Sequence, residues 1–121
     1  MDEAEQLLGL AAENLASSVD NLAHRPPRRS VSYAEARHAL ELACKVLLLR
    51  KTGGYRRDHK VGGDLFRAGL VPSGVSPSRL NRLLSEYTRG EYGTVPVVED
   101  AEVEEMIGMA RHLLEAARAA K

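Results

Sequence analysis

Apolar positions recur every three or four residues along most of the chain, and this spacing predicts five helices. The first covers about residues 2–22, with Ala4, Leu7, Leu8, Ala11, Leu15, Val19 and Leu22 on one face. It cannot pass Arg25-Pro26-Pro27-Arg28, because prolines lack a backbone donor and push the preceding residue out of helical range. Ser32-Tyr33-Ala34-Glu35 reads as a capping box that starts the second helix. Ala36, Ala39, Leu40, Ala43 and Leu47 form its inner face, and Gly53-Gly54 stops it. A short third helix is expected near residues 58–68, carrying Val61, Leu65 and Phe66. Ser76 with Pro77 supplies an N-cap and a first-turn proline for a fourth, which carries Leu80, Leu83, Leu84 and Tyr87 and ends near Gly90. Residues 93–98 read as extended. The last helix, about 99–120, places Val103, Met106, Ile107, Ala110, Leu113, Leu114 and Ala117 inside.

The pattern therefore predicts an all-α fold, an up-and-down four-to-five-helix bundle in a single domain over residues 1–121. Short connections make successive helices antiparallel. Loops 23–31 and 69–76 then share one end of the bundle, and loops 51–59 and 90–98 share the other. On that geometry Arg56, Arg57, His59 and Lys60 come to lie beside Arg89 and Tyr92.

Composition narrows the picture. A chain of 121 residues has room for one hydrophobic core. With no Trp, one Phe and four Tyr, that core must be Leu, Ala and Val. The single Cys44 excludes a disulfide framework and a thiolate metal cage, and no metal or cofactor is expected. No apolar run reaches the length of a membrane span. The opening Met1-Asp2-Glu3-Ala4-Glu5 is acidic where a secretory signal is basic, so a cytoplasmic location is expected.

The zero net charge hides a division. Residues 1–24 hold five acids and no Lys or Arg, whereas residues 25–89 hold fourteen bases against five acids. Residues 90–121 return to an acidic balance, seven against three. The middle of the chain is either an anion-facing surface or a segment attracted to its acidic neighbours, within the fold or across a dimer.

Each candidate residue has two readings. His59 either binds a phosphate or base edge, helped by Lys60, or caps the turn after Gly54. Arg89 either reaches a phosphate while Tyr92 stacks on a base, or bonds carbonyls at a helix end that Tyr92 fills. Arg56-Arg57 and Arg28-Arg29 are loop pairs, solvated unless a ligand gathers them. Arg37, Glu41 and Lys45 lie four residues apart on one stripe and read as a surface ladder or a dimer face. Gly53-Gly54 lacks the Gly-Lys-Ser/Thr of a phosphate loop, and no nucleophile elbow or HExxH motif is present.

Taken in order, the Ala-rich second helix Ala36-Arg37-His38-Ala39-Leu40-Glu41-Leu42-Ala43-Cys44-Lys45, the Gly turn, His59-Lys60-Val61-Gly62-Gly63-Asp64-Leu65-Phe66, Tyr87-Thr88-Arg89-Gly90-Glu91-Tyr92 and the Ala-rich closing helix resemble a HEPN domain (higher eukaryotes and prokaryotes nucleotide-binding). The resemblance covers nearly the whole chain. It implies a helical bundle that usually dimerises, often partnering a small nucleotidyltransferase in toxin–antitoxin pairs. Other members are metal-independent ribonucleases with an Arg, four to six residues, then a His. This chain departs from that spacing. The positions upstream of His59 are Gly54, Gly53 and Thr52, and those upstream of His112 are Ile107, Met106 and Glu105. The leading expectation is thus a non-catalytic, homodimeric bundle that binds a nucleotide or a nucleotidyltransferase partner through Arg56, Arg57, His59, Lys60, Arg89 and Tyr92. The alternatives are a ribonuclease toxin using His59 and Arg89 on RNA, and a ligand-free assembly module.

Overall fold

The computed structural model describes residues 2–56, 60–86 and 98–121. It comprises α1 (Glu3–Ala23), α2 (Arg29–Thr52), α3 (Val61–Arg67), α4 (Pro77–Leu84) and α5 (Asp100–Ala119), with no strand among the described residues. The helix ends follow local chemistry. Asp2 caps α1 by accepting from the Glu5 amide at 2.8 Å. Ser76 does the same for α4, where Pro77 fills the first turn, and Glu99 with Glu102 forms a reciprocal capping box on α5. Gly53 closes α2 in the left-handed conformation, at φ 90, which costs a glycine little.

The capping expected at Ser32 is not formed. Helix α2 begins three residues earlier, and Ser32 is buried in the seam with α1. There its hydroxyl donates to the Ser18 carbonyl at 2.6 Å, while the Ser18 hydroxyl donates to the Ser32 carbonyl, also at 2.6 Å. Glu35 likewise turns to α1, accepting from the Ser17 hydroxyl at 2.5 Å and the Asn21 amide at 2.6 Å. The capping motif supplies polar groups to a helix–helix contact instead.

Helix α2 is the axis of the fold, packed against both α1 and α5. Ala36, Ala39 and Ala43 on α2, Ala11 on α1 and Ala110 on α5 are almost wholly buried, and such small side chains let the backbones approach closely. Leu40, Met106 and Leu113 fill the space between. Helices α3 and α4 cover another side of α2 through Val61, Leu65, Leu80 and Leu84, all fully buried, while Phe66 stays exposed.

The simple alternation of directions holds for α1 and α2 but not for α5. Arg29, at the start of α2, pairs with Asp100 at the start of α5. Arg50, near the end of α2, donates to the Ala117 carbonyl near the end of α5 at 2.7 Å. The two long helices therefore run in the same direction. The short α3 and α4, of seven and eight residues, cannot each span the bundle, so together they act as one return crossing. Helix α4 also stops at Leu84 rather than near Gly90. Most of the expected extended segment, residues 93–97, lies outside the described residues, and Val98 beyond it is buried.

Candidate functional site

The parallel course of α5 changes how loops 51–59 and 90–98 relate. Alternating full-length helices do not bring them together; what relates their flanks is the contact between α3 and α4. A Cβ placed on Gly62 of α3 meets the Leu84 Cδ1 at 2.9 Å and the Asn81 Oδ1 at 3.0 Å. So close an approach admits a methyl only if the Leu84 or Asn81 side chain shifts. Lys60 stands two residues before Gly62, and Glu86 stands two residues after Leu84. One flank of each of segments 57–59 and 87–97, Lys60 before α3 and Glu86 after α4, thus lies at the α3–α4 contact. The other flank of 87–97 enters α5 beside Arg29, at the end of α2 opposite Gly53, so the expected sharing of one end by loops 51–59 and 90–98 does not hold as a whole. Arg57, His59, Arg89 and Tyr92 themselves lie outside the described residues.

Of the sequence-predicted site residues, Arg56 and Lys60 are placed, and both are exposed. Lys60 occupies the N-cap position of α3, where its carbonyl accepts from the Asp64 amide at 3.3 Å. Arg56 lines a concavity of about 460 Å³ beside the α2–α3 turn, together with Leu48, Thr52, Tyr55, Asp64 and Arg67. Its guanidinium grips Asp64 bidentately, Nε to Oδ2 and Nη2 to Oδ1, both at 3.0 Å. Arg67 reaches the same carboxylate. The Arg56 bonds, with Arg67 adding, hold the Asp64 carboxyl below the usual carboxylate range. Asp64 therefore stays ionised and offsets part of the cationic character that composition assigns to this region.

Behind the edge lies a polar ladder that sequence reasoning placed on the surface. Arg37 and Glu41 are each only 3% exposed. The Arg37 Nη1 donates to the Leu84 carbonyl at 2.9 Å, and its Nη2 donates to the Glu41 Oε1 at 2.9 Å. The Lys45 Nζ donates to the other Glu41 oxygen, also at 2.9 Å. Lys45 lies 5.7 Å from the centroid of the Tyr55 ring, and the Tyr55 hydroxyl donates to Glu3 at 2.6 Å. The correction has a readable cause. Ala36, Ala39, Leu40, Leu42, Ala43 and Val46 surround this stripe, and a helix that is apolar nearly all round is enclosed on all sides, so its charged stripe goes inside with it. Burial requires pairing, and Glu41 accepts from both cations. The ladder ties α2 to the last turn of α4, and so sets where the chain leaves that helix.

Cys44 is fully buried, and burial followed by the nearby Glu41 charge pushes its thiol up, so it remains protonated. Among the described residues no group of three His, Cys, Asp or Glu is placed to hold a metal. No described helix is long and apolar enough to cross a membrane.

A family model of the HEPN domain matches residues 4–120, nearly the full length. The chain belongs to the HEPN domain family. No curated protein and no solved structure matches it significantly. With five helices and no strand among its described residues, this HEPN domain agrees with the all-α bundle its apolar periodicity predicts. The ribonuclease spacing of that family is not met at His24, His38, His59 or His112.

Proposed function

We propose that this HEPN domain is a non-catalytic, homodimeric module that binds a nucleotide, free or held by a nucleotidyltransferase partner, at the α3–α4 edge. The observation that carries the reading is the Gly62–Leu84 contact, which sets α3, just after the His59 segment, against the end of α4, just before the Arg89–Tyr92 segment. That side belongs to the stretch with fourteen bases against five acids. Phosphate recognition needs cations that converge from different parts of the chain, and Lys60 and Arg56 approach from the α3 side. The missing Arg–His spacing supports binding rather than cleavage.

Thermal denaturation with a panel of nucleoside mono-, di- and triphosphates tests this. A ligand at one hundred times its Kd stabilises by about 2.7 kcal/mol. One or more nucleotides should raise the Tm of the wild type, and Lys60→Ala with Arg89→Ala should remove the shift. No shift with any nucleotide, and no copurification of a coexpressed nucleotidyltransferase, refutes the proposal and leaves an assembly module. RNA cleavage lost on His59→Ala refutes the non-catalytic reading in favour of a ribonuclease.

A further inference from the structure

Helix α3 carries different chemistry on its two flanks. One flank faces the concavity of about 460 Å³ beside the α2–α3 turn, whose lining holds two arginines, Arg56 and Arg67, against one acid, Asp64. The other faces a groove of about 310 Å³ between α3 and α4, lined by Gly62, Gly63, Phe66, Pro77, Ser78 and Asn81 and by no charged side chain among the described residues. Phe66, the chain's one phenylalanine, is 62% exposed there, although Val61 and Leu65 on the same helix are fully buried. A large ring left in water beside two glycines and a proline presents a flat apolar surface. The two spaces adjoin. A Cβ built on Gly63, in the groove, would stand 3.3 Å from the Nη1 of Arg67, which lines the concavity.

We propose that these adjoining spaces form one bipartite site for a nucleoside polyphosphate, with the base stacked on Phe66 and the phosphates taking the place of Asp64 between Arg56 and Arg67. This deepens the nucleotide reading above, by assigning its subsites, and rests on it.

The anionic half follows from the arginine forks. Arg56 meets Asp64 through Nε and Nη2, both at 3.0 Å, and Arg67 reaches the same Oδ1. Planar guanidiniums that converge on a carboxylate present their donors in the geometry that also fits a phosphate. The two arginine side chains are 50% and 65% exposed, so a ligand reaches them with α3 intact. Asp64 holds the anion's place in the free protein, and an entering phosphate must displace it or meet its charge.

The groove supplies the other half. Asn81 lies over Gly62, with its Oδ1 3.0 Å from a Cβ built there, and its side-chain amide has no hydrogen bond to a described residue. Phe66 takes the face of a base, and Asn81 is a polar group for its edge. Stacking of a base on an aromatic ring tolerates any base, so the site selects a ring with an anionic tail rather than one base. An inorganic polyphosphate engages the arginine half alone.

Isothermal titration of the full chain with ATP, GTP and inorganic tripolyphosphate tests the site in wild type, Phe66→Ala and Asp64→Asn, with circular dichroism confirming that each variant is folded. Loss of stacking should weaken ATP and GTP binding to Phe66→Ala by about fivefold or more, while tripolyphosphate affinity holds. Removing a like charge beside the phosphates should tighten all three ligands in Asp64→Asn by about fivefold or more. Unchanged ATP and GTP affinity in Phe66→Ala, or an equal loss of tripolyphosphate affinity, overturns the stacking subsite. No tightening in Asp64→Asn overturns the phosphate subsite. If both variants match a wild type that binds ATP or GTP, the nucleotide reading stands and this placement falls. No binding by either the wild type or Asp64→Asn overturns both.

Discussion

Replacing Glu41 with leucine removes the only carboxylate of the buried ladder. Both of its oxygens accept from cations at 2.9 Å. Arg37 cannot escape to water, since its side chain is 3% exposed and its Nη1 is already committed to the Leu84 carbonyl. Its Nε, moreover, has no hydrogen-bond partner among the described residues. Stripping a partner from such a pair leaves an uncompensated buried charge, at a cost of about 3–5 kcal/mol. That is a third or more of the stability of many domains, and for a chain of 121 residues it lowers Tm by about 12–20 °C. Lys45 is more exposed, at 15%, so Lys45→Met should cost only about 1 kcal/mol. Replacing both buried partners, as Arg37→Met/Glu41→Leu, removes the charges together and should recover most of the loss. Urea denaturation of the four proteins, followed by circular dichroism, gives the comparison. A Glu41→Leu protein within 1 kcal/mol of wild type, or a double variant no better than the single, would falsify the argument that a dry, paired charge ladder holds α4 to α2.

Four further outcomes follow. Gly62→Ala gains helix propensity but drives a methyl against the buried Leu84 and the Asn81 backbone, so thermal melts should show a net loss of about 1 kcal/mol. Gly9→Ala, with open space around the new Cβ, should instead gain about 0.5–1 kcal/mol in the same assay. Because the Asp64 carboxyl is held below its usual value of 3.8, the unfolded chain binds that proton more readily than the folded one. The stabilisation is therefore complete above that usual value and fades as pH falls through the depressed one. The stability difference between wild type and Asp64→Asn should shrink across that acid range, and a gap independent of pH contradicts the Arg56–Asp64–Arg67 cluster. Finally, His59→Ala should leave any background RNA cleavage by the purified protein unchanged in a gel assay, since the ribonuclease spacing is absent.

The helices themselves were legible from spacing alone. Val103, Met106, Ile107, Ala110, Leu113, Leu114 and Ala117 are all buried, as a period of three to four residues requires. Direction was harder to read, because alternation assumes that every helix spans the bundle. Helices α3 and α4 are too short to do so, and nothing in their composition reveals that they turn the chain round together. The ladder was misplaced for a related reason. Glu–Lys spacing on a helix is the usual mark of a solvated face, and only the apolar residues around Arg37 and Glu41 betray that this side of α2 is covered. At the candidate site, the cationic character of Arg56 and Lys60 was plain from sequence. That Asp64 claims the Arg56 guanidinium was not, because the pair is eight residues apart across a turn.

Isothermal titration of the purified protein with nucleoside triphosphates, repeated on Lys60→Ala/Arg89→Ala, addresses the central claim most directly. Saturable binding by the wild type, weakened at least tenfold in the double variant whose melting curve still shows a folded protein, is the predicted result. Equal affinity in the two proteins would contradict a nucleotide site at the α3–α4 edge.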